Sequence, residues 1–152
     1  MAISFQNIIK DKILEPIRSF VRTEFGGMAD VYIGETYEKK GNISIRLECL
    51  NQTLTDQGAY GFQNEYQVQI TYYLLGSNFA TKKVMDKVYN DVSRLEQLLF
   101  NKADPVNRSN DDCYYGGVVD NISFNEKTAE EADIDSLLVA KIDYLCYYTK
   151  MN

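Results

Sequence analysis

The chain has no histidine and no tryptophan, only two prolines, and three cysteines that leave an odd number. Without histidine there can be no Ser-His-Asp or Cys-His nucleophile, and no G-x-S-x-G elbow is present either. Zinc loses its commonest nitrogen ligand, and Cys49, Cys113 and Cys146 form no C-x-x-C pair, so a metal site is not expected. Basic residues are also scarce: 16 Lys and Arg stand against 22 Asp and Glu, a formal charge of -6 that repels phosphate backbones and acidic membranes. No run of 18 apolar residues occurs. The opening "MAISFQNIIKDKILEPIRSF" lacks a basic region followed by an apolar run and a small-residue cleavage site, which predicts a protein made and kept in a cytoplasm.

What is abundant is tyrosine, 12 against 7 phenylalanines, a tilt toward strands and contact surfaces. With 152 residues, 45% hydrophobic and 25% charged, a single domain over residues 1–152 is expected. Phe5, Ile8, Ile9, Ile13, Ile17 and Phe20 recur at helical spacing behind Ser4, with Pro16 predicted to kink or split the helix near Glu15. After a short extended piece around Val31 to Ile33, Ile43, Ile45, Leu47 and Cys49 alternate with polar residues as in a half-buried strand. "NQTLTDQGAYGF" at 51–62 reads as a projecting loop, and Tyr66, Val68, Ile70, Tyr72 and Leu74 mark the next strand. Val84, Met85, Val88, Val92, Leu95, Leu98 and Leu99 define a helix from about Asn78 to Lys102. A polar loop follows, then a strand from Val118 to Phe124, an acidic connection "NEKTAEEAD", and a final strand in "SLLVAKIDYLCYYTKMN".

The order α-β-β-α-β-β predicts an α+β domain: a mainly antiparallel four-stranded sheet with two helices packed on one face. Its other face would carry Ser44, Arg46, Glu48, Gln67, Gln69, Thr71, Asn121, Ser123, Lys141 and Asp143, polar but nearly neutral. In the last strand Leu138, Ala140, Ile142, Tyr144, Cys146 and Tyr148 should face the helices. Leu137, Val139, Leu145 and Tyr147 would flank a polar centre at Lys141 and Asp143 on the opposite face, which water or a neighbouring subunit could cover.

Patterns that carry chemistry fail on spacing. "FGGM", "YGF" and "YYGGVV" match no phosphate-cradling loop, and Gly116-Gly117 reads as a strand start or a bulge. Asn107, Ser109 and Asp111 alternate as in a calcium loop, but Asp112 stands where Gly is needed and Val118 where the bidentate Glu belongs. Asp30 with Glu38-Lys39-Lys40 could supply a magnesium site, yet the latter three fall in a "YEKKGN" turn. Cys49 and Cys146 sit on apolar strand faces as small hydrophobes, and the N-x-[ST] sequons at Asn42, Asn51, Asn107 and Asn121 read as plain strand and loop chemistry. No catalysis and no cofactor are expected.

The "IIKDKILEPI" helix, "VYIGETY", "ISIRLECLNQT", the "YQVQITYYLL" strand leading into "KKVMDKVYNDVSRLEQLL", and the terminal "DSLLVAKIDYLCYYT" together resemble the tail terminator proteins of long-tailed bacteriophages, also called tail completion or head-tail joining proteins. The resemblance implies a virion structural protein forming a six-fold ring that caps the head-proximal end of the tail tube, stops its polymerisation and meets the head connector. Such a ring would bury part of the opposite face of the last strand, with Leu137, Val139, Leu145 and Tyr147, against another subunit. Its partners would be itself, the tail tube protein and the connector, with DNA passing through a negative lumen unbound and no membrane involved. Candidate contact residues are Tyr60, Phe62, Gln67, Gln69, Tyr73, Tyr114, Tyr115, Lys141, Asp143 and Tyr147, on the polar sheet face and in the loops 51–62 and 105–116. A head completion adaptor between portal and tail, or a non-viral ligand- or protein-binding module, stays open beside it.

Overall fold

In the computed structural model, residues 7–59, 61–76, 81–101, 113–134 and 136–151 are described. At Pro16, where the sequence predicts a kink or split, the helix is continuous but changes type. The proline lacks an N–H for the helical ladder, and a π-helical segment, Ile8–Leu14, precedes the regular helix α1, Glu15–Phe25, with the Glu15 N–H bonding back five residues to Lys10 O. Ile13, Ile17, Val21 and Phe25 form the buried stripe of this helical unit.

The sheet overturns the expectation of a mainly antiparallel sheet of four strands, being a mixed sheet of five. It has five strands in the order β1-β2-β3-β5-β4: β1 Asp30–Ile33, β2 Ile43–Gly58, β3 Gly61–Leu75, β4 Cys113–Phe124 and β5 Leu137–Met151. β1 pairs parallel with β2 through Asp30 to Ser44 and Ile33 to Leu47, and the other three pairings are antiparallel. The short extended piece expected around Val31 to Ile33 is this β1, but four residues are too few to show a period, and its parallel pairing was not legible. Nor are there two helices: α2, Thr81–Asn101, is joined by a short α3, Ala129–Ala132, inside the segment read as a plain acidic connection. The expected loop at 51–62 is strand as well, since β2 and β3 run on as a hairpin to Gly58 and Gly61. The tip residue Tyr60 and residues 102–112, with the calcium-like pattern, lie outside the described residues.

The π-helical segment, α1 and α2 cover one sheet face. There Ile45, Leu47, Val68, Ile70, Tyr72, Ile142, Tyr144 and Cys146 meet Ile13, Ile17, Val21, Val88, Val92 and Leu95 in a continuous core. Each such aliphatic side chain contributes about 1.5–3 kcal/mol of burial free energy. Across the helix layer, Arg94 on α2 donates to Glu24 Oε1 and to Glu24 O, both at 2.9 Å, tying α2 to α1.

Gly117 makes the bulge that the sequence offered as one of its two readings. The register jumps between Gly116 and Val118, and a Cβ at 117 would stand 2.2 Å from Leu145 O. Gly117→Ala is therefore expected to lower stability by on the order of 2 kcal/mol in chemical denaturation, whereas Gly58→Ala, whose Cβ would meet open space, should be nearly neutral; equal midpoints for the two would show that the bulge relaxes freely.

Candidate functional site

The second sheet face is not uniformly open. At the end bearing β1, residues 34–42 and α3 fold over it and hold a buried polar network. Arg46, 4% exposed, donates from Nε to Tyr73 Oη at 3.0 Å, from one terminal nitrogen to Thr71 Oγ1, and from the other to Glu48 Oε2 at 2.6 Å and to the carbonyls of Gly34 and Glu35. Tyr73 in turn donates to Glu131 Oε1 at 2.8 Å. The other oxygen of Glu131 accepts the Thr128 N–H while Thr128 Oγ1 accepts the Glu131 N–H, a capping box that starts α3. Tyr37 packs on the Tyr73 ring at 4.7 Å, and Leu137, Val139, Leu75 and Ile134 complete a small apolar cluster.

This network answers half of what the last strand posed. Leu137 and Val139 are buried, but by Tyr73, Tyr37 and Ile134 of the same chain, so they present nothing to another subunit. Ser44, Arg46 and Thr71, expected on an open polar face, are buried there too. Tyr73, nominated as a contact residue, is 1% exposed and serves as the hinge pin of the cover.

The remaining nominees split. Gln67, Gln69, Lys141, Asp143 and Tyr147 are half-buried at the centre and far end of the second face, where Gln69 pairs with Asp143 in the β3–β5 register and lies 3.5 Å from its Oδ1. Phe62 is half-buried near the hairpin tip, opposite Gln57 and Lys150. Tyr114 and Tyr115 lie on β4 opposite Tyr148 and Tyr147. The Glu38 and Lys40 pair of the supposed magnesium site forms its own salt bridge at 3.2 Å, and the Glu38 N–H donates to Tyr32 Oη. Among the described residues no three Cys, Asp or Glu side chains gather as a metal site, and no helix is long and apolar enough to cross a membrane.

Sequence reading missed Arg46 as a buried node, and Asp91 as well. Asp91 on α2 is buried and accepts the Tyr72 hydroxyl at 2.5 Å, with Lys87 3.3 Å away. The one available signal was Thr128-x-x-Glu131, the capping-box spacing. Burial and then the Asp91 carboxylate hold the Tyr72 hydroxyl far above its ordinary range; Tyr73 is raised by burial, with Glu131 adding to the rise and Arg46 opposing it.

What the fold leaves open are its edges. β1 covers the outer side of β2 only from Ser44 to Leu47, so among the described residues the outer side of β2 is unpaired from there to Gly58. β4 forms the opposite edge, 12 residues long. Residues 50–58 are all exposed, Leu50 at 46% and Leu54 at 54%. Beside β4 lies a cleft of about 230 Å³ lined by Glu96, Leu99, Phe100, Gly117, Val118, Val119 and Tyr144, with Phe100 79% and Val118 63% exposed. Comparison with protein-family models and with curated protein sequences finds no match.

Removing the node should be costly. Arg46→Met strands Tyr73 Oη, two carbonyls and Glu48, and is expected to cost about 3 kcal/mol in denaturant unfolding; a change under about 0.5 kcal/mol would mean that the cover does not depend on it. The raised tyrosines also fix a pH response. A group whose folded-state pKa lies above its ordinary value of 10.0 contributes stability that is complete below that value and lost as pH rises beyond it. Stability should therefore fall above about pH 10, and Tyr72→Phe should flatten that fall while costing about 1 kcal/mol at neutral pH.

Proposed function

We propose that the chain is a virion structural protein of the tail terminator kind: a ring former that caps the head-proximal end of a phage tail tube, ends its polymerisation and joins it to the head connector. The observation that carries this reading is the pair of unlike open edges on one sheet. Any open sheet has two edges, but natural sheets normally guard them with Lys, Pro or a covering element, and among the described residues the outer sides of the β2 arm and of β4 carry none of these. Unlike patches on opposite sides of a subunit make a heterologous contact, which generates a ring when the rotation between neighbours closes. The exposed hairpin, absent from a minimal α+β core, offers a second contact to a partner above or below the ring.

The role needs no reacting group, and the buried ionisable residues Arg46, Asp91 and Glu131 are each held by tyrosine hydroxyls, Arg46 and Glu131 on Tyr73 and Asp91 on Tyr72. Acidic balance suits a ring through which DNA slides, because a lumen of the same sign as phosphate does not grip it.

The test is assembly. The purified protein is expected to form a closed oligomer, six-fold by the resemblance, in native mass spectrometry, and electron micrographs of tail tubes grown with it should show capped tubes of defined length. A protein that stays monomeric at all concentrations and leaves tubes growing without limit would sink the proposal.

A further inference from the structure

The two open edges match each other in level, direction and chemistry. Reading across the sheet, Leu54 lies opposite Asn64, which lies opposite Tyr148, which lies opposite Tyr114; Asn51 aligns in the same way through Gln67 and Leu145 with Val118, and Cys49 through Val68 and Tyr144 with Val119. The free part of β2 and the first half of β4 thus occupy the same stretch along the strands. β2 is antiparallel to β3, β3 to β5 and β5 to β4, so β4 runs opposite to β2. A copy repeated sideways in the same orientation would set its β2 beside this β4 as an antiparallel neighbour, the more stable pairing.

Among the described residues no further strand pairs with the free part of either edge. "ECLNQTLTDQG" from Glu48 to Gly58 and "CYYGGVVDNISF" from Cys113 to Phe124 contain no Lys, Arg or Pro and one Asp each. Bulges interrupt both, at Leu50 and Thr55 on β2 and at Gly117 and Asp120 on β4, leaving 51–54 and 113–116 as regular runs that overlap in level, while 122–124 lie level with the stretch of β2 that β1 already covers. The apolar surfaces match as well. On the β2 arm Leu50 and Leu54 are exposed, while α2 leaves Phe100 standing out beside Val118. At equal level, Leu50 falls beside the Val118 to Val119 step that lines the cleft.

We propose that the exposed β2 arm of one copy pairs antiparallel with the β4 edge of a second copy, its Leu50 packing at the cleft between α2 and β4. The proposal deepens the ring reading and rests on it for closure alone: the same junction repeated without closure would give open chains.

The experiment uses two double variants of the full chain at exposed positions, so that folding, checked by circular dichroism, is retained. An arm variant carries Leu50→Asp with Leu54→Asp, and a cleft variant carries Phe100→Asp with Val118→Asp. Each alone should weaken self-association by about 30-fold or more. Mixed one to one, they should give dimers and nothing larger, because each pair retains one intact arm and one intact cleft. A Leu50→Cys protein mixed with a Val118→Cys protein should yield, on oxidation, a 50-to-118 linked peptide in mass spectrometry. Assembly untouched by both variants, or a mixture that stays monomeric while the unmodified protein assembles, would overturn the junction and leave the ring reading standing. Dimers and the cross-link, with open chains from the unmodified protein, would support the junction and overturn the ring. An unmodified protein that is monomeric and gives no cross-link would overturn both.

Discussion

The guanidinium of Arg46 is the constraint on which the second face depends. A buried cation must have its donors satisfied, and Arg46 meets that requirement by gathering Thr71, Tyr73, Glu48 and the carbonyls of Gly34 and Glu35. Because Tyr73 passes the network on to Glu131, the same charge that holds residues 34–42 also holds α3. Remove it and the cover loses its polar anchor on both sides, leaving the small cluster around Leu137 and Val139 to hold it alone. An Arg-based node of this kind gives geometric definition more than net stability, since desolvating the charge offsets much of what its bonds return.

With one face under helices and much of the other under its own connections, the sheet has its surplus bonding capacity at the edges. That shifts the place where a partner would attach. A polar face half covered by Arg46 and its neighbours is a poor candidate for a broad subunit contact, whereas unpaired backbone groups on β2 and β4 retain their full demand for hydrogen bonds. The hairpin arm serves the same logic: pairing with β3 keeps it extended, and its exposed leucines gain only if another molecule covers them.

The helix of 84–99 and the alternating strands around 43–49, 66–74 and 138–148 were legible because their periods are long and unbroken. The helix-facing row of the last strand, Ala140, Ile142, Tyr144, Cys146 and Tyr148, is in the core as its alternation predicted. Three things were not legible. The extended piece at Val31 to Ile33 could be seen, but not that it joins the sheet in parallel, which depends on how the next segment folds back. The arm "LNQTLTDQG" has the Asn, Gln and Asp content of a loop and is strand because β3 templates it, a tertiary override of propensity. The buried Arg46 looked like one more polar residue on an alternating strand; only the arrival of Tyr73 and the 34–42 carbonyls makes it a core residue, and those come from sequence separations no local pattern encodes.

Amide hydrogen exchange across the assembly transition tests the central claim most directly. If copies join through their sheet edges, the outward backbone amides of 49–57 and of 113–119 will slow together as the protein passes from dilute monomer to oligomer, while those of 34–42 stay as they were. Protection gained elsewhere with both edges still exchanging freely would contradict the account.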